Sequence, residues 1–170
     1  MKKSVNEPGS NCAVSIPTAD GVFIARYSET GLAELEFPNA GRTGPPLSQS
    51  LPVPVRTWHR MTESALKSIL AGKTAKSLPP MDLSPGTRFQ QSVWRELQKI
   101  STGKTKSYGE IAGLIGKPKA VRAVGGACGA NPIPVLIPCH RVLAANGKLG
   151  GFSGGLDWKR KLLAIEGVAF

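Results

Sequence analysis

The chain has 170 residues, of which 41% are hydrophobic and 19% charged, and its formal net charge is +11. That length supports one large domain or two small ones, and no apolar run is long enough to cross a bilayer, so no membrane contact is expected. Three scattered cysteines (Cys12, Cys128, Cys139) and two histidines give neither a disulfide framework nor a zinc-ligand pattern. A cytoplasmic setting without metal or other cofactor is therefore expected.

The charge is unevenly placed. Residues 1–85 carry 9 Lys/Arg and 7 Asp/Glu, whereas residues 86–170 carry 13 and 4. A basic excess confined to the second half points to a polyanionic partner met by that half. Met1–Glu7 is basic with no apolar core behind it, so no signal peptide is expected.

The apolar runs Cys12–Ile16, Val22–Tyr27 and Leu32–Phe37 are separated by Asp20-Gly21 and Glu29-Thr30-Gly31, which predicts a small antiparallel sheet. Asn39–Pro54 reads as a loop, rich in Gly, Pro and Ser. A helical stripe follows over Thr57–Ala71, carried by Trp58, Met61, Ala65, Leu66, Ile69 and Leu70. Gly72–Pro85 reads as a linker. Thr87 with Gln90 is a capping-box pair and starts a helix whose inner face is Phe89, Val93, Leu97 and Ile100. Ser107 with Glu110 is a second such pair. It predicts a short helix with Ile111, Leu114 and Ile115 inward and Gly116 at its end. Pro118 is placed near the first position of a further helix, Lys119–Cys128. Two short helices about a glycine turn form a helix-turn-helix pattern. The second is unusual, since Gly125 and Gly126 each cost about 1 kcal/mol against Ala. A helix of small residues permits close backbone approach to phosphates and a groove. A tight core contact explains the glycines equally well, but Lys104, Lys106, Lys117, Lys119 and Arg122 favour nucleic acid.

Asn131–Pro138 holds three prolines and reads as a rigid, extended, buried segment that delivers Cys139 to one place. Cys139-His140 could be an activated nucleophile or an inert buried thiol, and the pair alone does not decide. Beyond it, Arg141–Leu143 is strand-like, Ala144–Gly147 suggests a hairpin turn, and Leu149–Gly155 is a glycine-rich loop. Asp157 is expected to cap a last helix with Trp158, Leu162 and Ile165 inward. Glu166 stands at its C-terminus, where a carboxylate is unfavourable unless it accepts a hydrogen bond, for example from a histidine.

Several stretches in unbroken order then resemble one family. They are Gly86-Thr87-Arg88-Phe89-Gln90-Gln91 with Trp94, Ser107-Tyr108-Gly109-Glu110-Ile111-Ala112, Arg122-Ala123-Val124-Gly125-Gly126-Ala127, Asn131-Pro132, Pro138-Cys139-His140-Arg141-Val142, Gly150-Gly151-Phe152-Ser153-Gly154-Gly155, and Lys161-Leu162-Leu163 with Glu166-Gly167. Together they resemble the 6-O-alkylguanine-DNA alkyltransferases, or methylated-DNA–protein-cysteine methyltransferases. The resemblance implies an α/β (α+β) fold. A small ribonuclease-H-like α/β domain would occupy residues 1–80, and a mainly helical, winged helix-turn-helix-like domain residues 86–170. It implies DNA repair by a monomer, with cooperative assembly on DNA left open. The methyl of 6-O-methylguanine, and 4-O-methylthymine as a second candidate, would pass irreversibly to Cys139 after base flipping, one turnover per molecule.

By the same resemblance, His140 would take the thiol proton through a water and Glu166 would orient His140. Tyr108 would hydrogen-bond the departing guanine, and Asn131 would brace the segment before Cys139. Arg122 would fill the space of the extruded nucleotide in double-stranded DNA, while Lys119, Ala123, Gly125, Gly126, Lys104 and Lys106 would meet the duplex. Tyr108, Val142, Gly150, Phe152 and Ser153 would form the base pocket. Gly129-Ala130 depart from the family, in which a basic or polar residue is common there, and the zinc ligands of some members are absent. A lesion-binding protein without chemistry is opposed by Cys139 itself. A helix-turn-helix regulator leaves Cys139, His140 and Glu166 without a role. A thiol hydrolase would not need the Arg122 helix.

Overall fold

The computed structural model describes residues 12–39, 44–45 and 51–170. The expectation for Met1–Glu7 and most of the Asn39–Pro54 loop lie outside these residues. The three apolar runs form strands β1 (Cys12–Thr18), β2 (Gly21–Tyr27) and β3 (Leu32–Glu36) in one antiparallel sheet of order β1-β2-β3. The register from Thr18↔Gly21 to Cys12↔Tyr27 leaves a tight turn at Ala19-Asp20. There Thr18 Oγ1 donates to the Gly21 carbonyl at 2.7 Å and accepts from Asp20 N.

Helix α1 spans Val53–Leu70 and packs on this sheet, with Tyr27 and His59 hydrogen-bonded at 3.1 Å. It begins before the expected Thr57, because Pro52 and Pro54 stand at its N-cap and first turn, where a missing N–H breaks no helical bond. The expected linker is not free of the sheet. Leu32 N donates to the Pro80 carbonyl at 2.8 Å and Asp82 N to the Leu32 carbonyl at 2.8 Å, so Met81 pairs with the start of β3.

Helices α2 (Arg88–Leu97), α3 (Tyr108–Leu114) and α4 (Val121–Gly129) pack against one another. Both capping boxes form as expected, at Thr87/Gln90 and Ser107/Glu110. Trp94 of α2 donates its indole N–H to the Ala127 carbonyl at 2.8 Å and so ties α2 to α4. Gly116, at φ +72, turns the chain after α3, and Lys117 N closes that end on the Ala112 carbonyl at 2.9 Å.

Three expectations fail in this region. Leu114 is 54% exposed, since the inward face of α3 is Ile111 and Ala112. Pro118 does not open α4. It sits in a turn closed by Ala120 N on the Lys117 carbonyl at 2.8 Å, and α4 starts at Val121. Asn131–Pro138 is buried but not extended. Ile137 N reaches back to the Ile133 carbonyl at 2.9 Å, and Val135 is held at φ +73, a conformation costly for a β-branched residue.

After a 3-10 turn at Cys139–Arg141, β5 (Val142–Leu143) pairs in parallel with β4 (Lys106–Ser107). Asn146 and Gly147 do form a turn with positive φ, closed by Ala144 N on the Lys148 carbonyl, but among the described residues β5 pairs with β4 and not in a hairpin. Helix α5 spans Leu156–Ile165. Its N-cap is Gly155 rather than Asp157, and it buries Lys159, Leu162 and Leu163 while Trp158 and Ile165 stay half-buried. Among the described residues no helix is long and apolar enough to cross a membrane.

Candidate active site

The folded-back segment ends by presenting Cys139, only 3% exposed, at the first position of the 3-10 turn. Asn131 organises this turn. Its side-chain amide donates to the Ile137 carbonyl at 2.8 Å and to Cys139 Sγ at 3.1 Å, and its carbonyl oxygen accepts from Ile133 N at 3.0 Å. Burial pushes the Cys139 thiol up to about 11, against the lowering effect of the Asn131 amide and the Lys159 cation.

His140 is fully buried, and its Nε2 lies 2.9 Å from Glu166 Oε1. Burial works against the Glu166 charge, but hydrogen bonds from His140 and Arg141 outweigh it and hold the carboxyl at about 2. An ionised carboxylate only accepts hydrogen bonds, so Nε2 carries the hydrogen and donates it. Burial keeps the His140 pKa below the ordinary imidazole value although Glu166 opposes this, so the ring is neutral at pH 7. Its other nitrogen, Nδ1, is then a bare lone pair. It is buried and has no hydrogen-bond partner among the described residues.

Glu166 is held from several sides. Arg141 Nε donates to its two oxygens at 3.1 and 2.9 Å, Arg141 Nη2 to Oε1 at 2.8 Å, and Gly103 N to Oε2 at 3.2 Å. Arg141 also bonds the Ile100 carbonyl and Thr102 Oγ1, so the charge pair is anchored to the chain following α2. Glu166 therefore stands at a helix C-terminus without penalty, because a buried guanidinium and an imidazole N–H replace the solvent it loses.

Lys159 was not foreseen from the sequence. It is fully buried, and its ammonium donates to the Val142 carbonyl at 2.7 Å and the Gly151 carbonyl at 3.3 Å. It thus ties β5 to the glycine-rich loop, and its charge favours the thiolate forms of Cys139 and Cys128. Burial pushes the Cys128 thiol up to about 12. A lysine with Trp158, Leu162 and Leu163 around it reads as the polar side of an amphipathic helix, which is why spacing concealed it. Arg141 was hidden likewise inside the Cys-His motif.

The remaining expected residues fall into two groups. Tyr108, half-buried at the start of α3, lies against Gly150, where an added Cβ would come within 2.8 Å of the Tyr108 hydroxyl oxygen. Phe152 is half-buried and Ser153 exposed, in a turn closed by Gly155 N on the Phe152 carbonyl at 3.0 Å. Val142 is buried, and its carbonyl accepts from Lys159. The second group lies along α4 and beside it. Arg122, Ala123, Gly126, Lys119 and Lys104 are exposed, Gly125 is half-buried, and Lys106 is drawn towards Glu110 at 3.9 Å. A Cβ added at Gly125, Gly126 or Gly129 would meet nothing within 4 Å. The glycines therefore do not serve a helix–helix contact. They leave one face of α4 low and open.

A buried thiol, a polarising amide and a neutral imidazole backed by a carboxylate can together generate a nucleophile without a metal. The sequence profile described as "6-O-methylguanine DNA methyltransferase, DNA binding domain" matches residues 88–168. A methylated-DNA–protein-cysteine methyltransferase of Methanosarcina acetivorans is 50% identical over 110 residues, which cover 65% of this chain and 70% of the relative. One of Mycolicibacterium paratuberculosis is 54% identical over 101 residues, covering 59% of this chain and 61% of that protein's length. Among solved structures, Mycobacterium tuberculosis OGT in complex with DNA superposes with a TM-score of 0.74 at 38% identity, over 91% of both chains. The O6-methylguanine-DNA methyltransferase of Pyrococcus kodakaraensis does so with a TM-score of 0.59 at 25% identity, over 92% of this chain and 98% of that one. The chain belongs to the methylated-DNA–protein-cysteine methyltransferase family.

Proposed function

We propose that this protein repairs 6-O-methylguanine in double-stranded DNA by moving the methyl group to Cys139, once per molecule. The observation that carries the proposal is a pair of contacts on the adjacent residues Cys139 and His140: the Asn131 amide on the sulfur at 3.1 Å and the His140 imidazole on the Glu166 carboxylate at 2.9 Å. At rest the thiol is protonated, since it stands at about 11. His140 Nδ1 takes the thiol proton through one water, and Glu166 stabilises the resulting imidazolium. The thiolate attacks the methyl carbon, an S–C bond forms, the C–O bond breaks, and the electron pair passes to the guanine, which takes one proton at N1, balancing the one lost by the thiol. Tyr108 donates a hydrogen bond to the departing base. The product thioether is stable and no neighbouring group removes it, so the protein is consumed.

A thiol only 3% exposed cannot reach a stacked base, so the nucleotide must leave the duplex. The open small-residue face of α4 suits close approach to the backbone, and Arg122, exposed at its start, occupies the gap in the stack. Lys104, Lys106, Lys119, Ala123, Gly125 and Gly126 make up the rest of the duplex surface. The flipped base is held by Tyr108, Val142, Gly150, Phe152 and Ser153. The same reading makes residues 1–80 a ribonuclease-H-like domain and residues 86–170 a winged helix-turn-helix-like domain, in a cytoplasmic monomer.

Titrating a fixed amount of methylated duplex with the protein tests this. Repair is expected to stop at one lesion per active molecule, and Cys139→Ser is expected to repair none. Multiple turnovers, or repair by Cys139→Ser, would contradict it. Iodoacetamide provides a second check, because blocking Cys139 should abolish repair.

A further inference from the structure

The N-terminal sheet supplies no reacting group, yet it touches the base-binding loop. The residue after β3, Phe37, leaves the sheet as a half-buried ring. Its centroid lies 5.6 Å from Phe152, in an edge-on arrangement at 67°, and 4.9 Å from Trp158 of α5. Phe23 of β2 stands 5.6 Å from Phe37 and 5.5 Å from Trp158. These are separations at which aromatic pairs attract.

The same ring lies over Gly154. A Cβ added there would come within 2.5, 2.7 and 2.9 Å of three Phe37 ring atoms. Phe23 and Trp158 leave the ring little room to withdraw. Gly154 belongs to the turn closed by Gly155 N on the Phe152 carbonyl, with Ser153 exposed beside it. Between Gly150 and Gly155 the only side chains are those of Phe152 and Ser153. A loop so poor in side chains has few contacts beyond its Gly155–Phe152 bond and the Lys159 contact at Gly151, so what packs on it helps to set its shape. Two further ties join the sheet to this region, namely the Lys161–Asp20 ion pair and Leu35 N donating to the Pro132 carbonyl at 2.9 Å.

We infer that Phe37 is a positioning residue for base recognition: packed on Gly154 and Phe152, it transmits the N-terminal sheet's position to the turn that meets the extruded base. This rests on the assignment of the 150–153 loop to the base pocket. Phe37 touches neither base nor thiol and acts through the turn.

The test compares wild type, Phe37→Ala, Phe37→Tyr and Leu66→Val in methyl transfer from a duplex carrying 6-O-methylguanine. Affinity for undamaged duplex, the iodoacetamide rate at Cys139 and the melting temperature are measured alongside. Phe37→Ala is expected to slow transfer by roughly tenfold to a hundredfold, the scale of a small misplacement of a bound group. Affinity for undamaged duplex and the iodoacetamide rate should be unchanged, and Phe37→Tyr should restore transfer. Gly154→Ala should slow transfer too, and adding Phe37→Leu should relieve part of that loss by making room. Leu66→Val, which lowers stability from a buried position on α1 outside the aromatic cluster, should transfer normally. The inference is overturned if Phe37→Ala transfers like wild type, if Leu66→Val is slowed equally, or if the iodoacetamide rate falls in proportion. A wild type that transfers no methyl would instead remove the functional reading, and this inference with it.

Discussion

The Asn131 amide donates to the Cys139 sulfur at 3.1 Å while the same side chain bonds the backbone on both sides of the Val135 kink. One residue therefore fixes the strained turn and favours the thiolate that the turn presents. Removing it separates these effects. Asn131→Ala leaves the Ile133 N–H unpaired in the core, at about 1–3 kcal/mol, and takes one of two donors from the Ile137 carbonyl, which still accepts from Cys139 N. It also takes away a contact that lowers the thiol pKa. Thermal melting should show the first loss. The pH dependence of iodoacetamide reaction should show the Cys139 midpoint moving up.

Glu166 carries both the orientation of His140 and the partner charge of Arg141. Glu166→Gln keeps the size of the side chain but leaves the Arg141 guanidinium buried without a counter-charge, at about 3–5 kcal/mol. It also replaces an acceptor-only carboxylate by an amide that can turn its NH2 to His140, so the tautomer is no longer fixed. Single-turnover transfer is expected to fall by roughly a thousandfold or more, as when the orienting carboxylate of a hydrolytic triad is neutralised. A rate within tenfold of wild type would remove His140–Glu166 from the mechanism.

Both members of that pair make stability depend on pH in the same direction. The His140 pKa is lowered below 6.5 by burial, so the unfolded chain binds its proton more readily and acid weakens the fold as pH falls beneath 6.5. Glu166 is lowered from 4.5 to about 2, so its contribution is complete above 4.5 and is lost between those values. Melting temperature should therefore fall in two stages on acidification. In Glu166→Gln the stage below 4.5 should shrink. Transfer should also fall in acid, when His140 Nδ1 gains a proton and stops being a base.

On α4, stability and binding should move in opposite directions. A Cβ at Gly126 meets nothing within 4 Å, so Gly126→Ala should stabilise the helix by about 1 kcal/mol. Gly126→Leu projects from the face proposed to lie on the duplex and should weaken binding without lowering the melting temperature. Wild-type binding should weaken as salt rises, because Lys and Arg displace counterions from phosphate. Binding indifferent to Gly126→Leu would move the duplex off this face.

What was legible in the sequence was largely local. The capping boxes at Thr87/Gln90 and Ser107/Glu110 are pairs three residues apart, and both form because they satisfy the same helix ends that define them. The antiparallel sheet was legible from its turns. Leu114 was misplaced because a two-turn helix has too little periodicity to fix its inner edge. Pro118 was misread because a first-turn proline and a turn proline share one backbone angle. Glu166 drew attention through its unfavourable helix end, but its contacts reach 63 residues back to Gly103 and 26 to His140, which no local spacing encodes. Lys159 and Phe37 stayed hidden for the same reason, since each acquires its role from a distant segment.

The most direct measurement is the intact mass of the protein after incubation with a duplex carrying one 6-O-methylguanine, with the site mapped by fragmentation and Cys139→Ala as control. A gain of one CH2 unit is expected, on Cys139 alone, with unmodified guanine left in the duplex. An unchanged mass on protein that binds the lesion tightly, or a methyl on Cys128 instead, would contradict it.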